Sequence, residues 1–206
     1  MRKNNTPQCL TRRFYRRNAV TVAKALLGQR LVHVISGVRT AGLIVETEAY
    51  LGVEDRAAHS YGGRRTQRTE TMYADGGTAY VFLNYGIHYL LNVVVARAGV
   101  PQAVLLRAVA PTEGLDAMRR RRPKARRDTD LCSGPGKLGA AFAVDRSQNG
   151  ADLTVSSALY IERLRRRAPP ADRIVAAPRV GVDYAGEWAA KPLRFYLRGN
   201  PHVSVE

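Results

Sequence analysis

The sequence predicts a single mixed α+β domain built on an antiparallel β-sheet. Two pairs of strand-like runs are each joined by a short turn, and the strands do not alternate regularly with helices. The chain has 206 residues, of which 45% are hydrophobic, and this is enough for one substantial core. These three observations exclude wholesale disorder and argue against a parallel βαβ sheet.

The N-terminal segment, residues 1–17, is polar and contains six basic and no acidic residues. We expect it to be loosely ordered, because chain termini of this kind have little to pack, and we expect one domain to span 18–206. Within 18–29, apolar residues recur every three or four positions behind Asn18, a good N-cap residue, which predicts a short helix.

Two hairpins are predicted next along the chain. Strand-like runs at 31–35 and 41–50 are joined through Ser36-Gly37, a typical turn sequence. The second hairpin lies within 78–95, where Asn84-Tyr85-Gly86 separates two β-rich halves.

The segment between the hairpins, residues 51–77, is rich in Gly, Arg and Thr. A long irregular segment in a compact domain usually has a function, so we expect one here. The remaining predicted elements are a strand at 103–109, a helix at 111–120, a helix opened by a Gly-rich turn within 131–144, and closing strands at 176–182 and 192–197.

The composition is strongly basic, with 33 Lys and Arg against 17 Asp and Glu, a formal charge of +16. Arginine supplies 28 of the basic residues, and its guanidinium group binds phosphate as a bidentate fork. The predicted partner is therefore a polyanion, most simply nucleic acid; the alternative is an arginine-rich composition spread over a solvated surface. Most of the excess charge lies in 1–17 and 119–127, where it would strengthen sequence-independent DNA binding.

The sequence has neither a cysteine pattern typical of disulfide-rich secreted proteins nor a long apolar segment, and both absences bear on cellular location. Cys9 and Cys132 have no CxxC partner and no nearby histidine pair, which argues against a disulfide framework and a structural zinc site. No stretch approaches the roughly 18 apolar residues of a membrane span. We expect no membrane interaction, no cofactor, and a DNA-associated location in the cytoplasm, or in the nucleus of a eukaryote.

Acidic and aromatic residues share one face of the second strand. Period-two alternation places Glu46, Glu48 and Tyr50 on the same side, with the carboxylates about 6.6 Å apart at roughly 3.3 Å per residue. The alternative is a solvated pair of carboxylates with no function. Asp55 and His59 follow in a segment rich in Gly and Arg, so we expect acid, imidazole and guanidinium groups to converge.

Polar and aromatic residues also stand out in the second hairpin and beyond it. Tyr85 lies at the hairpin tip, and we interpret it as a wedge into a base stack; the alternative is packing against its own hairpin. Asn92 and Arg107 lie within apolar strands, so each needs a partner, either structural or a ligand. Lys137 follows a Gly-rich turn, 133–136, that lacks P-loop spacing but could hold one DNA phosphate.

These residues together resemble the alkyladenine (3-methyladenine) DNA glycosylase family. The resemblance runs from about residue 18 to 204 and is carried by IVETEAYLGVED (44–55), AAHSYGG (57–63), YVFLNYGIHYLLN (80–92), VLLRA (104–108), LCSGPGKL (131–138), RVGV (179–182) and GEWAAKPLRFY (186–196).

The resemblance implies both an activity and an architecture. The activity is that of a monofunctional hydrolase of base excision repair. Such an enzyme flips damaged purines of the 3-methyladenine, 7-methylguanine, hypoxanthine and ethenoadenine class out of duplex DNA. It then cleaves the N-glycosidic bond and leaves an abasic site. The implied architecture is a curved antiparallel sheet with surrounding helices and a protruding hairpin, in a protein that acts as a monomer.

The resemblance also assigns roles to residues. It implies that Glu48 is the general base that activates water against the sugar C1′ atom, with Arg107 beside that water. Tyr50 and His59 would enclose the flipped base, and Asn92 would discourage normal guanine by clashing with its 2-amino group.

Other residues would contact DNA or shape the pocket. The resemblance implies that Tyr85 fills the gap left in the duplex. Phe82 stands where the family often has tyrosine, so stacking should be retained while one hydrogen bond is lost. We also expect Arg64, Arg65 and Lys137 to bind DNA.

Two other functions are compatible with the residues. Glu46, Glu48, Asp55 and His59 could ligate magnesium or manganese in a nuclease. A non-catalytic module could instead bind nucleic acid through charge alone. No lysine lies near the predicted pocket in sequence, so we expect no Schiff-base chemistry and no strand cleavage.

Overall fold

A computed structural model of the chain describes residues 8–205, in which strands form one antiparallel sheet accompanied by short α-helices. The strands are β1 (Arg30–Ile35), β2 (Val38–Tyr50), β3 (Ala79–Asn84), β4 (His88–Val95), β5 (Gln102–Glu113), β6 (Leu159–Glu162), β7 (Ile174–Ala177) and β8 (Arg194–Leu197). The α-helices are α1 (Arg12–Tyr15), α2 (Ala19–Leu26), α3 (Leu115–Arg121) and α4 (Pro135–Ala141). The predicted α+β fold is confirmed. Within the described residues, no helix has the length and apolar character needed to span a bilayer.

The long strand β2 organises the sheet. The strand order is β3-β4-β5-β2-β1-β6, with β8 also paired to β2 and β7 paired to β8. β1 pairs with β2 only as far as Leu43, and β8 then takes the same edge of β2 from Glu46 to Glu48. The strand therefore exchanges one neighbour for another just before its acidic residues.

Both predicted hairpins are present. β1 and β2 are joined by Ser36 and Gly37, whose φ angles of 49° and 79° suit a tight two-residue turn. β3 and β4 are joined through Tyr85 and Gly86, which also have positive φ angles, of 50° and 69°. The tip of this second hairpin is exposed to solvent.

The helices α2 and α4 share one apolar core with the sheet. α2 is capped by the Asn18 side chain, as predicted, and it buries Val22 and Leu26. α4 approaches β4 closely because residue 139 is glycine; an added Cβ atom would overlap the Tyr89 carbonyl oxygen. The functional site described below lies on the opposite face of the sheet from α2.

The N-terminal segment is better ordered than predicted. Cys9 forms a β-bridge with Glu162 of β6, and Leu10 and Tyr15 are fully buried. Burial of these apolar side chains offsets the entropy lost on ordering a basic, polar segment. The expectation of loose order is therefore wrong for residues 8–17; for residues 1–7 it lies outside the described part of the chain.

The helix predicted at 111–120 begins later than expected. β5 continues to Glu113 because its pairing with β2 extends as far as Ala41. The helix α3 therefore starts at Leu115, after the strand has ended.

Two further differences concern short strands. β7 spans Ile174–Ala177, so only residues 176 and 177 of the strand predicted at 176–182 are in a strand and 178–182 are irregular. The strand β6 was not predicted, because four residues show too little periodicity to be recognised.

Candidate active site

Four neighbouring strands contribute one row of side chains to the sheet face opposite α2. Tyr80 on β3 pairs with Asn92 on β4, and Asn92 pairs with Leu105 on β5. Leu105 in turn pairs with Glu48 on β2. Directly paired residues of antiparallel strands point to the same side of the sheet, so these four side chains stand next to one another.

This row is part of the lining of a cavity of about 220 Å³. The other lining residues come from adjacent strand positions, the irregular segment 51–77, the hairpin tip and the segment after β7: Tyr50, Ala57, His59, Met72, Phe82, Asn84, Tyr85, Leu90, Ala103, Arg107, Val180, Gly181, Val182 and Tyr184. The cavity thus brings together all the residues predicted for catalysis and base binding.

Glu48 is fully buried at the edge of this cavity. Its Oε1 accepts a hydrogen bond from the Val180 amide at 2.8 Å, and its Oε2 accepts one from the Tyr50 hydroxyl at 2.9 Å. Burial and the neighbouring Glu48 carboxylate raise the pKa of Tyr50 well above its usual value, so this hydroxyl stays a donor. The buried negative charge of Glu48 is therefore compensated by fixed partners.

Arg107 enters the site through irregular strand pairing. Ala108 on β5 pairs with Glu46, but Leu106 pairs with the very next residue of β2, so Arg107 between them is unpaired. Bulges of this kind re-aim side chains near active sites. Nη1 of Arg107 lies 3.1 Å from Oε1 of Glu48. Burial alone would lower the pKa of Arg107, but Glu48 and Glu46 outweigh it and raise the pKa, so the guanidinium stays charged.

The Glu46 carboxylate forms its hydrogen bonds outside the cavity. Its Oε1 accepts hydrogen bonds from Arg107 at 2.8 Å and from Arg194 at 3.1 Å, and its Oε2 accepts the Ser204 amide at 2.7 Å. It is fully buried and does not line the cavity. Of the two carboxylates that strand alternation places on one face of β2, Glu48 is the one that lines the cavity.

Asp55 does not join the acidic pair, contrary to the metal-site alternative. Its two oxygens accept hydrogen bonds from Arg179 at 2.6 and 2.8 Å in a fully buried, bidentate ion pair. Across residues 8–205, no group of three or more His, Cys, Asp or Glu side chains is arranged to hold a metal ion. The set Glu46, Glu48, Asp55 and His59 therefore does not assemble as a ligand cluster.

Arg179 is a residue whose contribution the sequence reasoning missed. Its guanidinium lies 4.7 Å from the centroid of the Tyr50 ring, and the next residue supplies the amide that binds Glu48. The buried ion pair with Asp55 thus holds Arg179 beside Tyr50 and Val180, the two residues that donate hydrogen bonds to Glu48. The RVGV motif at 179–182 was the available signal, but its spacing does not reveal so distant a partner.

His59 forms the opposite wall, together with aromatic residues of β3. Its Nδ1 lies 2.8 Å from the Tyr80 hydroxyl, and its ring meets Phe82 edge-on with centroids 4.5 Å apart. Burial, with a smaller effect of Arg68 and Arg64, lowers the pKa of His59 to about 4. Burial likewise raises the pKa of Tyr80 to about 12. At neutral pH the imidazole is therefore uncharged and the phenol is protonated.

The Asn92 side chain is hydrogen-bonded within the sheet and also lines the cavity. Its side-chain amide donates a hydrogen bond to the Tyr80 carbonyl oxygen at 3.2 Å, which satisfies the need for a structural partner. The side chain is nearly buried, yet it still lines the cavity. The structural and ligand-binding interpretations of Asn92 are thus compatible.

Two exposed aromatic side chains lie at the cavity mouth. Tyr85 at the hairpin tip is 88% exposed and does not fold back onto its own hairpin. Tyr184, which the sequence reasoning missed, lines the same cavity from the segment after β7 and is 73% exposed. The Tyr184 position is marked in sequence only by its place shortly after RVGV.

The three predicted DNA-binding cations lie outside the cavity lining. Arg64 and Arg65 are exposed, and Arg65 pairs with Glu70 at 2.7 Å and stacks on Tyr73. Lys137 is exposed on α4, where its ammonium group donates a hydrogen bond to Ser133 at 3.4 Å. All three are placed on the surface, and their contact with DNA stays a prediction.

The model of the methylpurine-DNA glycosylase family matches residues 13–201 of the chain. The DNA-3-methyladenine glycosylases of Mus musculus and Homo sapiens are each 47% identical over 201 residues; these cover 93% of this chain and 60% and 66% of the relatives. A Clostridium acetobutylicum relative, whose name also refers to 3-methyladenine DNA glycosylase, is 46% identical over 203 residues, covering 95% of this chain and 97% of the relative.

These matches confirm the family resemblance and set aside both the nuclease and the non-catalytic module. They include nearly all of the described chain and every residue that lines the cavity. The chain belongs to the methylpurine-DNA glycosylase family and is a DNA glycosylase, a hydrolase of N-glycosyl bonds.

Proposed function

We propose that this DNA glycosylase extrudes a damaged purine from duplex DNA into the described cavity, where Glu48 activates water to release the base. The observation that carries the proposal is the position of Glu48. It is a buried carboxylate held by three fixed partners, at the edge of an aromatic cavity whose mouth bears an exposed tyrosine.

Extrusion of the nucleotide is required by geometry, because the glycosidic bond cannot be reached inside a stacked duplex. Enzymes that act on a base within duplex DNA, glycosylases among them, flip that base out of the stack at a cost of a few kcal/mol. Tyr85 would offset part of that cost by stacking in the vacated space, since base–aromatic stacking is worth about 1–3 kcal/mol per base.

Binding of the extruded base would use the aromatic walls. An alkylated purine such as 3-methyladenine is cationic, and the faces of Tyr50 and Phe82 would attract it by about 0.5–2 kcal/mol each. The Tyr80 hydroxyl can donate to His59 Nδ1, which places the imidazole proton on Nε2 as a donor to the base. Asn92 would disfavour undamaged guanine by crowding its 2-amino group.

Hydrolysis would follow with Glu48 as the general base. Glu48 takes a proton from water as the water oxygen bonds to C1′, and the glycosidic electron pair leaves with the base. Arg107 stays charged beside Glu48 and would orient the carboxylate and the water. The cavity lining includes no lysine, so we propose that the product is an abasic site in an unbroken strand.

The proposed substrates are 3-methyladenine, 7-methylguanine, hypoxanthine and ethenoadenine in double-stranded DNA, bound by a monomer. Cationic bases are good leaving groups, whereas hypoxanthine and ethenoadenine must gain hydrogen bonds as they depart. Phe82 offers a ring without a hydroxyl, so we expect the cationic lesions to be preferred.

A test of this proposal uses duplexes that each carry one of the four lesions, with excess chelator present. Released base is followed by chromatography, and strand integrity by denaturing gel before and after alkali. We expect base release with strands that break only after alkali treatment. Strand cleavage without alkali, or no release from any duplex, would overturn the proposal.

A further inference from the structure

A second cavity, of about 390 Å³, lies away from the active site and has no role in the proposed reaction. It is lined by residues of the α1–α2 region and of the segment after β6. Its charged lining residues are Arg17, Lys24, Arg166 and Arg167. We call this cavity the basic cavity.

The basic cavity lies on the other side of the sheet from Glu48. The Thr47 hydroxyl donates to the Ala23 carbonyl oxygen of α2, so α2 covers the face to which Thr47 points. Phe195 pairs with Thr47 and lies 5.0 Å below the Lys24 ammonium group. Glu48 follows Thr47 on β2 and therefore points to the opposite face.

Positive charge is concentrated in the basic cavity without compensation. None of its lining residues is acidic, and no ion pair of 4.0 Å or less involves its four cations among residues 8–205. This contrasts with Arg12 and Arg16, which pair with Asp152 and Asp75.

Arg17 is the lining residue whose orientation is best defined. Its Nε donates to the Phe14 carbonyl oxygen at 2.8 Å, and its guanidinium lies 4.4 Å from the centroid of the Phe14 ring, so its orientation is fixed. Its Nη2 is buried and finds no hydrogen-bond partner within the described chain. Burial, with a smaller effect of the nearby Arg163, lowers the pKa of Arg17. An anion bound in the cavity would offset this uncompensated positive charge.

We propose that the basic cavity binds backbone phosphates of a second DNA duplex while the active site holds the first. Guanidinium groups without an acidic partner suit phosphate, which accepts bidentate hydrogen bonds. DNA is favoured as the source of that phosphate because the enzyme acts on DNA. One molecule could then contact two DNA segments at once and transfer between them without dissociating.

Stoichiometry tests this proposal directly. Wild-type protein is mixed with an excess of short, undamaged duplex at low salt, and complexes are sized by mass photometry. The test variant is Lys24→Gln/Arg166→Gln/Arg167→Gln. Its matched control is Arg97→Gln/Arg146→Gln/Arg173→Gln, which removes the same charge from exposed, scattered arginines.

We expect wild type and control to form complexes of one protein with two duplexes, and the test variant to form them at least about tenfold more weakly. The log–log salt slope of the second binding step should fall by about 0.9 for each phosphate that the variant no longer neutralises. Single-turnover base excision should be unchanged in the test variant, because none of its residues lies at the active site.

Three outcomes would overturn the proposal. The first is that wild type forms complexes with one duplex only, even if inorganic phosphate binds the cavity by calorimetry. The second is that the test variant retains the second duplex, or that the control variant loses it to the same extent. The third is a complex with two protein molecules, which would identify bridging by a dimer instead.

Discussion

Glu48 shows how a buried carboxylate can be kept available for chemistry. An uncompensated charge in such a place would cost several kcal/mol, but an amide, a phenol and a guanidinium share this charge. The shared face of Glu48 and Tyr50 was predictable from strand alternation. The choice between Glu46 and Glu48 was not, because Arg194 and Ser204, which occupy Glu46, lie near the other end of the chain.

His59 makes stability depend on pH. Its pKa in the folded protein is about 4, whereas an unfolded histidine titrates near 6.5. Between these values the unfolded chain binds more protons, so stability is lost as the pH falls from about 6.5 to about 4. We measure the free energy of unfolding with urea at about pH 7 and about pH 4.5. The decrease between these two values should be about 2–3 kcal/mol smaller in His59→Gln than in wild type.

The exposed His88 supplies the matched control for this measurement. His88→Gln should leave the wild-type pH dependence intact. If His59→Gln and wild type lose equal stability on acidification, the neutral, partly buried state assigned to His59 is incorrect.

The tip of the second hairpin is expected to contribute to function but little to stability. It contributes little burial, because Tyr85 is 88% exposed. We expect Tyr85→Ala to change the free energy of unfolding by less than about 0.5 kcal/mol. Capture of a lesion should weaken by about 1–3 kcal/mol, the value of one base stack, in stopped-flow binding to damaged duplex.

Tyr85→Phe keeps the ring at the same backbone position and should retain wild-type capture. Equal binding kinetics for Tyr85→Ala and wild type would refute the wedge role.

The segment after β7 depends on the buried pair of Asp55 and Arg179. Asp55→Asn leaves the Arg179 charge without its partner, and we expect a loss of about 3–5 kcal/mol in the free energy of unfolding. The double variant Asp55→Asn/Arg179→Met should recover part of this loss, since no unpaired charge then remains. A double-mutant cycle by urea denaturation measures the coupling, and additive effects would contradict it.

Hairpins and long strands were predictable because turn chemistry and alternation are local signals. The bulge at Arg107 and the exchange of β1 for β8 along β2 were not, because they arise from pairing between distant strands. The order of residues 8–17 was missed for the same reason. Their buried anchors, Leu10 and Tyr15, are recognisable only once the rest of the fold is known.

Over the whole molecule, the formal charge of +16 is distributed less simply than the sequence suggests. Part of the excess in 119–127 is neutralised locally, as Arg119 pairs with Asp128 and Arg127 with Asp130. The basic cavity, by contrast, combines cations from separate parts of the chain. Composition thus predicted a nucleic-acid partner, while only the fold shows which cations have no ion pair in the described chain and can bind phosphate.

Arg120, Lys124 and Arg126 are exposed cations of the 119–127 segment without an ion pair in the described chain. We expect Arg120→Gln/Lys124→Gln/Arg126→Gln to weaken binding to damaged and undamaged duplex equally. The log–log salt slope, measured by fluorescence anisotropy, should fall by about 0.9 for every phosphate that these side chains neutralise in the wild type. A selective loss for damaged DNA, or a slower excision step at saturating protein, would contradict this role.

The central claim, that Glu48 activates the hydrolytic water, is tested by single-turnover excision with saturating Glu48→Gln on each lesion-bearing duplex. Glu54→Gln, at an exposed carboxylate, is the control. We predict that Glu48→Gln lowers the excision rate about 10²–10⁴-fold while duplex binding is retained and Glu54→Gln behaves as wild type. Wild-type excision by Glu48→Gln on every substrate would contradict the claim.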